Sequence, residues 1–374
     1  MADMQVVDAG SDLSTPGSDM GGHDADQDSP DASAPDLGDT NDAGADAGEG
    51  DMGGEEDMAD ADMSAGPCIP PDTDVRTPEG QPSDGWRWSR VGRVFPDLDE
   101  ADIMANDGDF SPSIITEPGG GYRLYFARRR SRAYELWTST SQDGESWSEP
   151  ERLMGLMGEN YPAALRQADG SVRLWFGSGS FDVATSQDGV TFTDQQRRIL
   201  TPTQVGTFAQ TSLIYPEVRP SLAGDGYRMW FTGFNGQQLS IGTAYSADGI
   251  SWTPEPSPVV TLREGGDFDN KAVGQPEVHL TPDALYMWHG GYDTSNTDPG
   301  PWRIGLSRST DDGSTWERMG VSLPLTEDGD DMWSTRDPAV IQKSDGSGWL
   351  MVYVGMRDDS IYRLLTATSD ACID

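Results

Sequence analysis

One short pattern recurs through the chain and limits the folds that it can adopt. An Asp-Gly pair followed within three residues by an aromatic residue occurs in five segments, at residues 83–88, 141–147, 186–192, 246–252 and 309–316. Asp-Gly favours a tight hairpin turn, and the aromatic residue after it favours the start of a strand. A turn that returns in this way indicates an architecture built from one repeated supersecondary unit.

Each repeat also contains strand-like segments that precede the turn. Segments with one proline and apolar flanks lie at 111–115, 161–165, 215–218, 275–278 and 337–341. Apolar-aromatic runs follow them at 122–126, 172–176, 227–231, 285–289 and 349–353, and short alternating runs come next. Four strands in each of five units predict an all-β fold, a five-bladed β-propeller with four antiparallel strands per blade over residues 83–374.

The two ends of this domain complement each other. The fifth unit stops after its third strand, at residues 362–369, whereas residues 83–95 supply a turn and a strand that belong to no unit. We therefore expect the N-terminal strand to complete the last blade and close the ring.

Charge separates a tail from the repeats. Residues 1–82 contain 22 of the 64 acidic residues and one base, Arg76, and the first aromatic residue is Trp86. An Asp/Gly/Ala/Ser-rich segment of this kind predicts a disordered acidic tail and linker. The net charge of −39 argues against a nucleic-acid partner, and no apolar run is long enough for a transmembrane helix. We expect a monomer.

Two cysteines flank the repeats. Cys68 lies where the tail ends and Cys372 lies near the C-terminus, so a disulfide between them would join the two ends of the domain. Two unpaired thiols are the alternative. A disulfide favours an oxidising compartment, and hence export, although residues 1–8 have neither the basic nor the apolar region of a signal peptide.

The strand motif Tyr-Arg-Met-Trp-Phe-Thr-Gly at 227–233 and the Ser-x-Asp-Gly-x-x-Trp turns resemble those of the five-bladed glycoside hydrolases, namely family 43 arabinanases and xylosidases and family 32 invertases. The resemblance covers residues 83–374. Residues 309–316 match the Asp-box of sialidases, which we interpret as a structural turn on the face opposite the ligand. The tail resembles the spacers of bacterial surface lipoproteins, which implies a secreted or cell-surface protein.

The inner strands predict where polar side chains meet. Because side chains alternate along a strand, positions three before, one before and one after each proline should line one central funnel. Each blade then supplies one carboxylate, namely Asp109, Glu159, Glu217, Glu277 and Asp337. Crowded acids raise one another's pKa, and glycoside hydrolysis requires one protonated and one ionised carboxyl group.

The resemblance implies roles for these acids. We expect Glu217 to be the general acid, Asp109 or Asp337 to be the base, and Glu277 to tune a pKa or bind a substrate hydroxyl. The expected reaction is hydrolysis of a poly- or oligosaccharide with inversion. The alternative is a carbohydrate-binding or adhesive propeller without catalysis, in which the acids pair with Arg219 or Arg336.

Further candidates would bind the sugar rather than react with it. The predicted set combines inner-strand residues with residues of the funnel loops, namely Glu159, Tyr161, Tyr215, Gln275, Arg336, His289, Trp302, Trp333 and Arg129. Trp and Tyr side chains stack on apolar sugar faces, and Arg129 belongs to a basic cluster suited to an anionic sugar. No metal-ligand spacing appears, and we expect no cofactor, with a structural cation such as calcium in the channel as the alternative.

The cysteine pairing is directly testable. We expect the mass of the denatured intact protein to rise by about 2 Da on reduction, because a disulfide gains two hydrogens when it is cleaved. Reduction should also lower stability by several kcal/mol, since the bridge closes a long loop. Two thiols that react with iodoacetamide before reduction would contradict the pairing.

Overall fold

The computed structural model describes residues 87–96, 103–131, 133–157, 160–221, 226–263, 268–281, 284–293 and 302–370. The chain divides into two compact units, Met1–Met63 and Ser64–Asp374, and all described residues lie in the second. The predicted tail, both cysteines of the predicted disulfide (Cys68 and Cys372) and the predicted site residue Glu159 lie outside the described residues.

The described residues are almost entirely β-structure. Their strands, in chain order, are β1 Ser89–Arg93, β2 Gly108–Thr116, β3 Tyr122–Arg130, β4 Ala133–Ser141, β5 Glu151–Arg152, β6 Ala163–Arg166, β7 Val172–Phe176, β8 Phe181–Ser186, β9 Phe192–Leu200, β10 Ser212–Pro220, β11 Tyr227–Phe234, β12 Leu239–Ser246, β13 Thr253–Pro254, β14 Ala272–Leu280, β15 Leu285–Tyr292, β16 Trp302–Ser309, β17 Glu317–Leu323, β18 Ser334–Gln342, β19 Trp349–Met356 and β20 Tyr362–Ser369. One short helix, α1, spans Pro202–Val205, and a 3₁₀ turn spans Thr207–Ala209. No helix in these ranges is both long and apolar enough to cross a membrane.

The strands pair as antiparallel meanders of four. Unit one contains β2–β5, unit two β6–β9, unit three β10–β13 and unit four β14–β17. Unit five contains β18–β20 together with β1. Meanders of this kind, each with a polar turn and an apolar centre, are typical of a β-propeller.

The N-terminal strand completes the last unit, as the sequence predicts. β1 pairs antiparallel with β20, with Ser89 opposite Thr368 and Arg93 opposite Leu365. Unit five also pairs with unit one, with Gly108 opposite Tyr362 in a parallel register. Gly108 has φ +142°, and a Cβ there would lie 2.1 Å from the Tyr362 carbonyl oxygen, so this contact requires glycine.

The recurrent Asp-Gly turns join the third strand of a unit to its outermost segment. In the turn at 186–192, the Ser186 hydroxyl donates to Asp188 and accepts the Gly189 N–H, while Asp188 accepts the backbone N–H groups of the two residues that follow Gly189. The same bonds recur in the turns that begin at Ser141, Ser246 and Ser309. The turn at 309–316 thus has the same internal hydrogen bonds as the other three.

Each of these turns also packs against the unit before it. Side chains of the neighbouring second strand donate to turn carbonyls, namely Tyr125 Oη to Gly189 at 3.0 Å, Trp175 Nε1 to Gly249 at 2.8 Å and Arg228 Nη1 to Asp312 at 2.6 Å. Trp175, Trp230 and Trp288 are fully buried and belong to the apolar clusters between units. Apolar clusters join units two and three, three and four, and four and five.

The inner strands depart from regular alternation at one equivalent place. The residue before each inner-strand proline has a left-handed backbone with φ between +50° and +59°, at Ser111, Tyr161, Tyr215, Gln275 and Asp337. The strand register shifts across this residue and its proline in units one, three, four and five. Two residues then face one on the partner strand, which is a β-bulge and redirects the side chains around it.

The turn packing predicts the effect of one substitution. Gly249 has φ +74°, and a Cβ there would lie 2.6 Å from Arg173 Nη1 and 3.0 Å from Trp175 Cζ2. We expect Gly249→Ala to lower the free energy of unfolding by more than the ~1–2 kcal/mol of backbone strain alone. Gly170 has φ +84° with open space around it, so Gly170→Ala is the control. Equal losses in urea titrations of the two variants would contradict the packing role.

Candidate functional site

The bulged prolines surround one central cavity. Its volume is about 20 Å³, enough for about one water molecule. The lining comes from all five inner strands and consists of Ser111, Pro112, Ser113, Tyr161, Pro162, Tyr215, Pro216, Glu217, Gln275, Pro276, Glu277, Asp337 and Pro338. Three carboxyl groups therefore meet in this channel, which brings together Glu217, Glu277 and Asp337 as the sequence predicts.

In the four units where the position three residues before the proline is described (Asp109, Leu213, Val273 and Thr335), that residue does not line the cavity, so the expected alternation is wrong there. The bulge turns these side chains away, and Leu213 and Val273 pack in apolar clusters between units. Asp109 is buried, and its carboxylate accepts hydrogen bonds from Arg128 at 2.8 Å and lies 3.2 Å from Arg130. Asp109 is thus held by its own unit, apart from the other candidate acids.

Asp337 is the centre of a hydrogen-bond network beside the prolines. Its Oδ2 accepts the Ser111 N–H at 3.0 Å and the Ser111 hydroxyl at 3.3 Å, and its Oδ1 accepts Arg336 Nε at 3.2 Å. Its backbone N–H donates to Gln275 Oε1 at 3.3 Å. Units one, four and five are therefore joined through one buried residue, Asp337, whose carboxylate contacts unit one and whose backbone N–H contacts unit four.

Aromatic side chains and one arginine contact one another beside Asp337 and form what we call the mouth: Tyr161, Tyr215, Trp302 and Arg336. The Arg336 guanidinium lies 5.1 Å from the Trp302 ring centroid, and its Nη2 donates to Tyr215 Oη at 3.0 Å. The ring centroids of Tyr161 and Tyr215 are 4.2 Å apart. Burial raises the pKa of Tyr161 well above its usual value, so its hydroxyl stays protonated.

The other two channel acids share one arginine. Arg219 Nη2 lies 2.5 Å from Glu277 Oε1, and Arg219 Nε lies 2.7 Å from Glu217 Oε1. The Nε–H group itself donates to the Val278 carbonyl at 2.9 Å, so Glu217 Oε1 has a charge contact without a hydrogen bond. The inner-strand acids therefore do pair with Arg219 and Arg336, a contact that is also expected of a propeller without catalysis.

One guanidinium cannot neutralise two buried carboxylates. Burial raises the pKa of Glu217 well above its usual value, and the charge of Glu277 adds to this while Arg219 opposes it. Burial likewise raises the pKa of Glu277 to about 7, again against the attraction of Arg219. The pair therefore retains a proton near neutral pH, which is the state that a general acid needs.

The remaining candidates occupy different places. Trp333 is 42% exposed and lies on the loop before β18. Arg129 lies 3.4 Å from Asp107 and 5.2 Å from the Tyr134 ring centroid. Arg129 is at the end of β3 and Trp333 comes directly before β18, so both lie at the end of the sheets where the inner strands begin.

The prediction that His289 binds substrate is wrong. Its side chain is fully buried inside unit four, 2.9 Å from Ser307 Oγ and stacked on Phe268. Burial lowers the pKa of His289 to about 3, so the ring is neutral. His289 lies on β15, the second strand of unit four, and not in a loop at the end of the strands.

Sequence reasoning missed two features. It did not foresee the left-handed residue before each proline, and so it placed Asp109 in the channel. It also did not assign Ser111 as the partner of Asp337, although both residues stand immediately before an equivalent proline, and that equivalence was the available signal. Among the described residues, no cluster of three or more acidic, histidine or cysteine side chains is arranged to hold a metal ion.

Comparison with solved structures identifies the architecture. A Coprinopsis cinerea GH62 α-L-arabinofuranosidase matches with TM-score 0.57 and 12% identity, over 77% of this chain and 98% of that one. A Podospora anserina α-L-arabinofuranosidase in complex with cellotriose matches with TM-score 0.58 and 13% identity, over 76% and 96% of the two chains. The chain has the fold of the propeller glycoside hydrolases.

This result confirms the resemblance that the repeats indicate. A thermostable family-43 glycoside hydrolase also matches, with TM-score 0.56 and 14% identity, over 71% of this chain and 91% of that one. No family model matches the sequence. No curated protein matches it either. At such low identity the shared property is the propeller fold, and the chemistry has to be argued from the residues in the channel and the mouth.

The raised pKa of Glu277 predicts a pH dependence of stability. A carboxyl group with pKa about 7 in the folded protein and about 4.5 when unfolded binds more protons when folded. The free energy of unfolding should therefore fall as pH rises from about 4.5 to about 7. Above pH 7, Glu277 should cause no further change. We expect Glu277→Gln to flatten that decline in melting temperature, and parallel pH profiles of variant and wild type would contradict it.

Proposed function

We propose that the protein is a glycoside hydrolase that binds a poly- or oligosaccharide over the mouth and cleaves a glycosidic bond there. The observation that carries the proposal is the meeting of Glu217, Glu277 and Asp337 at one cavity beneath aromatic side chains. Glycoside hydrolysis generally uses two carboxyl groups flanking the scissile bond. The shared fold with arabinofuranosidases and a family-43 enzyme supports the same class of reaction.

In this proposal the general acid comes from the Glu217–Glu277 pair. The pair retains a proton near neutral pH because it is buried and shares one arginine. We assign Glu217 as the donor, since burial raises its pKa well above the usual value and Glu277, rather than Glu217, accepts the hydrogen bond of Arg219. Glu277, which accepts a hydrogen bond from Arg219 Nη2, then tunes the pKa of Glu217.

Asp337 is the proposed base, and Asp109 is set aside because it lies outside the channel. The cavity that Asp337 shares with Glu217 has a volume of about 20 Å³, which suits one water molecule. An inverting mechanism places a water between the base and the sugar. This supports inversion over a covalent intermediate.

The mouth supplies the proposed binding surface. Trp302 of the mouth is partly exposed, and Trp333, on the loop before β18, is 42% exposed. Both offer ring faces, and sugars present apolar faces to such rings. Arg336 is held by Asp337 and Tyr215, so its position is fixed before a ligand arrives.

A second function is binding without turnover, and one observation favours it. Asp337 contacts Arg336, Glu217 and Glu277 contact Arg219, and Asp109 contacts Arg128. Carboxylates that are all paired in this way stabilise a ring of strands without any reaction. In that case the mouth would recognise a glycan on a surface or matrix.

The two functions are distinguished by one set of variants. We expect Glu217→Gln and Asp337→Asn each to lower kcat by at least about 100-fold on a cleaved substrate while binding is retained, because general acid–base catalysis contributes 10²–10⁴-fold. The assay is release of reducing ends from plant and algal polysaccharides and nitrophenyl glycosides, with ¹H NMR to detect the anomer formed first.

Asp109→Asn is the matched control, because Asp109 is an equally buried, arginine-paired acid outside the channel. It should retain kcat if it folds. Equal activity of Glu217→Gln and wild type would exclude Glu217 as the acid. Saccharide binding by isothermal titration calorimetry with no turnover in any protein would establish the second function instead.

We also propose that five units form a closed five-bladed ring and that the protein acts as a secreted or cell-surface monomer on carbohydrate, without a nucleic-acid partner. The ring is supported by a cavity lined from five inner strands and by the pairing of β1 with β20. The location is supported by the acidic spacer composition of residues 1–82 and by the paired placement of the two cysteines in the sequence.

A further inference from the structure

The loop between β17 and β18 carries an exposed tryptophan to the mouth end of the inner strands. This loop, residues 324–333, ends on Trp333, whose side chain is 42% exposed. The backbone N–H of Trp333 donates to the Met356 carbonyl at 2.9 Å. Four residues later the chain reaches Asp337 and the central channel.

Asp331 within this loop is buried and saturated with donors. Its Oδ2 accepts Arg90 Nε at 2.7 Å and Tyr353 Oη at 2.8 Å, and its Oδ1 accepts Thr326 Oγ1 at 2.6 Å. The side chain is 1% exposed. A charged group buried this deeply needs such partners, so the loop is fixed where they converge.

Asp330 makes a second contact of the same kind. Arg93 approaches it with two nitrogens, Nε at 2.6 Å from Oδ2 and Nη2 at 2.8 Å from Oδ1. Two parallel bonds between a guanidinium and a carboxylate fix orientation as well as distance. Arg90 also donates to the carbonyl of Pro324, at the start of the loop.

Both arginines belong to β1, the N-terminal strand that closes the last unit. The β1 side chains are otherwise largely exposed, and the strand pairs with β20 alone among the described strands. Its two arginines, Arg90 and Arg93, contact the loop that bears Trp333. The same strand that closes the ring holds this loop.

We propose that Asp331 and Asp330, held by Arg90 and Arg93, are positioning residues that fix Trp333 as a stacking surface for the saccharide. The inference rests on the proposed function, because it assumes that a sugar binds at this end of the channel. A loop fixed in advance loses little conformational freedom on binding, which favours affinity.

The experiment uses the full chain labelled with 5-fluorotryptophan, with the Trp333 ¹⁹F resonance assigned from Trp333→Phe. We expect Asp331→Asn to shift and broaden that resonance and to weaken binding of the best oligosaccharide about tenfold, a change of ~1.4 kcal/mol. KM should rise while kcat changes little, since the reacting groups are untouched. Arg90→Lys, which keeps the charge, should retain most of the affinity.

Arg166→Met is the matched control, because it breaks an ion pair with Glu117 at the other end of the strands, 2.9 Å between charged atoms. It should change neither the Trp333 resonance nor the affinity. Arg93→Met, on the more exposed Asp330 pair, provides a second test if Asp331→Asn does not fold.

An unchanged Trp333 resonance in Asp331→Asn and Arg93→Met would overturn the proposal. So would a shifted resonance with unchanged affinity, because the tryptophan would then be positioned without serving the sugar. If wild type binds no saccharide while the resonance still shifts in both variants, the proposed function fails and the positioning of Trp333 by β1 stands.

Discussion

The architecture depends on the way each Asp-Gly turn packs against the unit before it. Glycine is required there because a side chain would meet the neighbour, as Gly249 meets Arg173 and Trp175. The turn carbonyl then accepts a hydrogen bond from a buried side chain of that neighbour. Each sheet has two faces to bury and cannot bury them alone, so this repeated contact sets how one unit follows the next.

The channel is the consequence of this packing. Five equivalent inner strands line the channel, and each has a left-handed residue before its proline, at a cost of about 1–3 kcal/mol apiece. The bulge aims polar side chains inward, so acids from three units meet in a space of about 20 Å³. Arg219 and Arg336 offset the repulsion only in part, which leaves the Glu217–Glu277 pair partly protonated.

Much of the fold could be predicted from spacing alone. The turn pattern, the four strands per unit and the orphan N-terminal strand are local or periodic features, and β1 pairs with β20 as expected. The prolines also identified the inner strands and, through them, Glu217, Glu277 and Asp337. The prediction for Asp109 is wrong because side chains do not alternate strictly across a bulge. The prediction for His289 is wrong because this residue lies within a packed strand and not in a funnel loop.

The sequence by itself therefore determined the repeat, the strand order and the identity of the inner strands, because turn chemistry and hydrophobic periodicity act over a few residues. Only the tertiary structure decided which side chains meet. The pairing of Arg219 with Glu277, of Ser111 with Asp337 and of Arg90 with Asp331 joins residues 58 to 241 positions apart. Such contacts depend on how the units close into one assembly, and no local pattern in the chain records them.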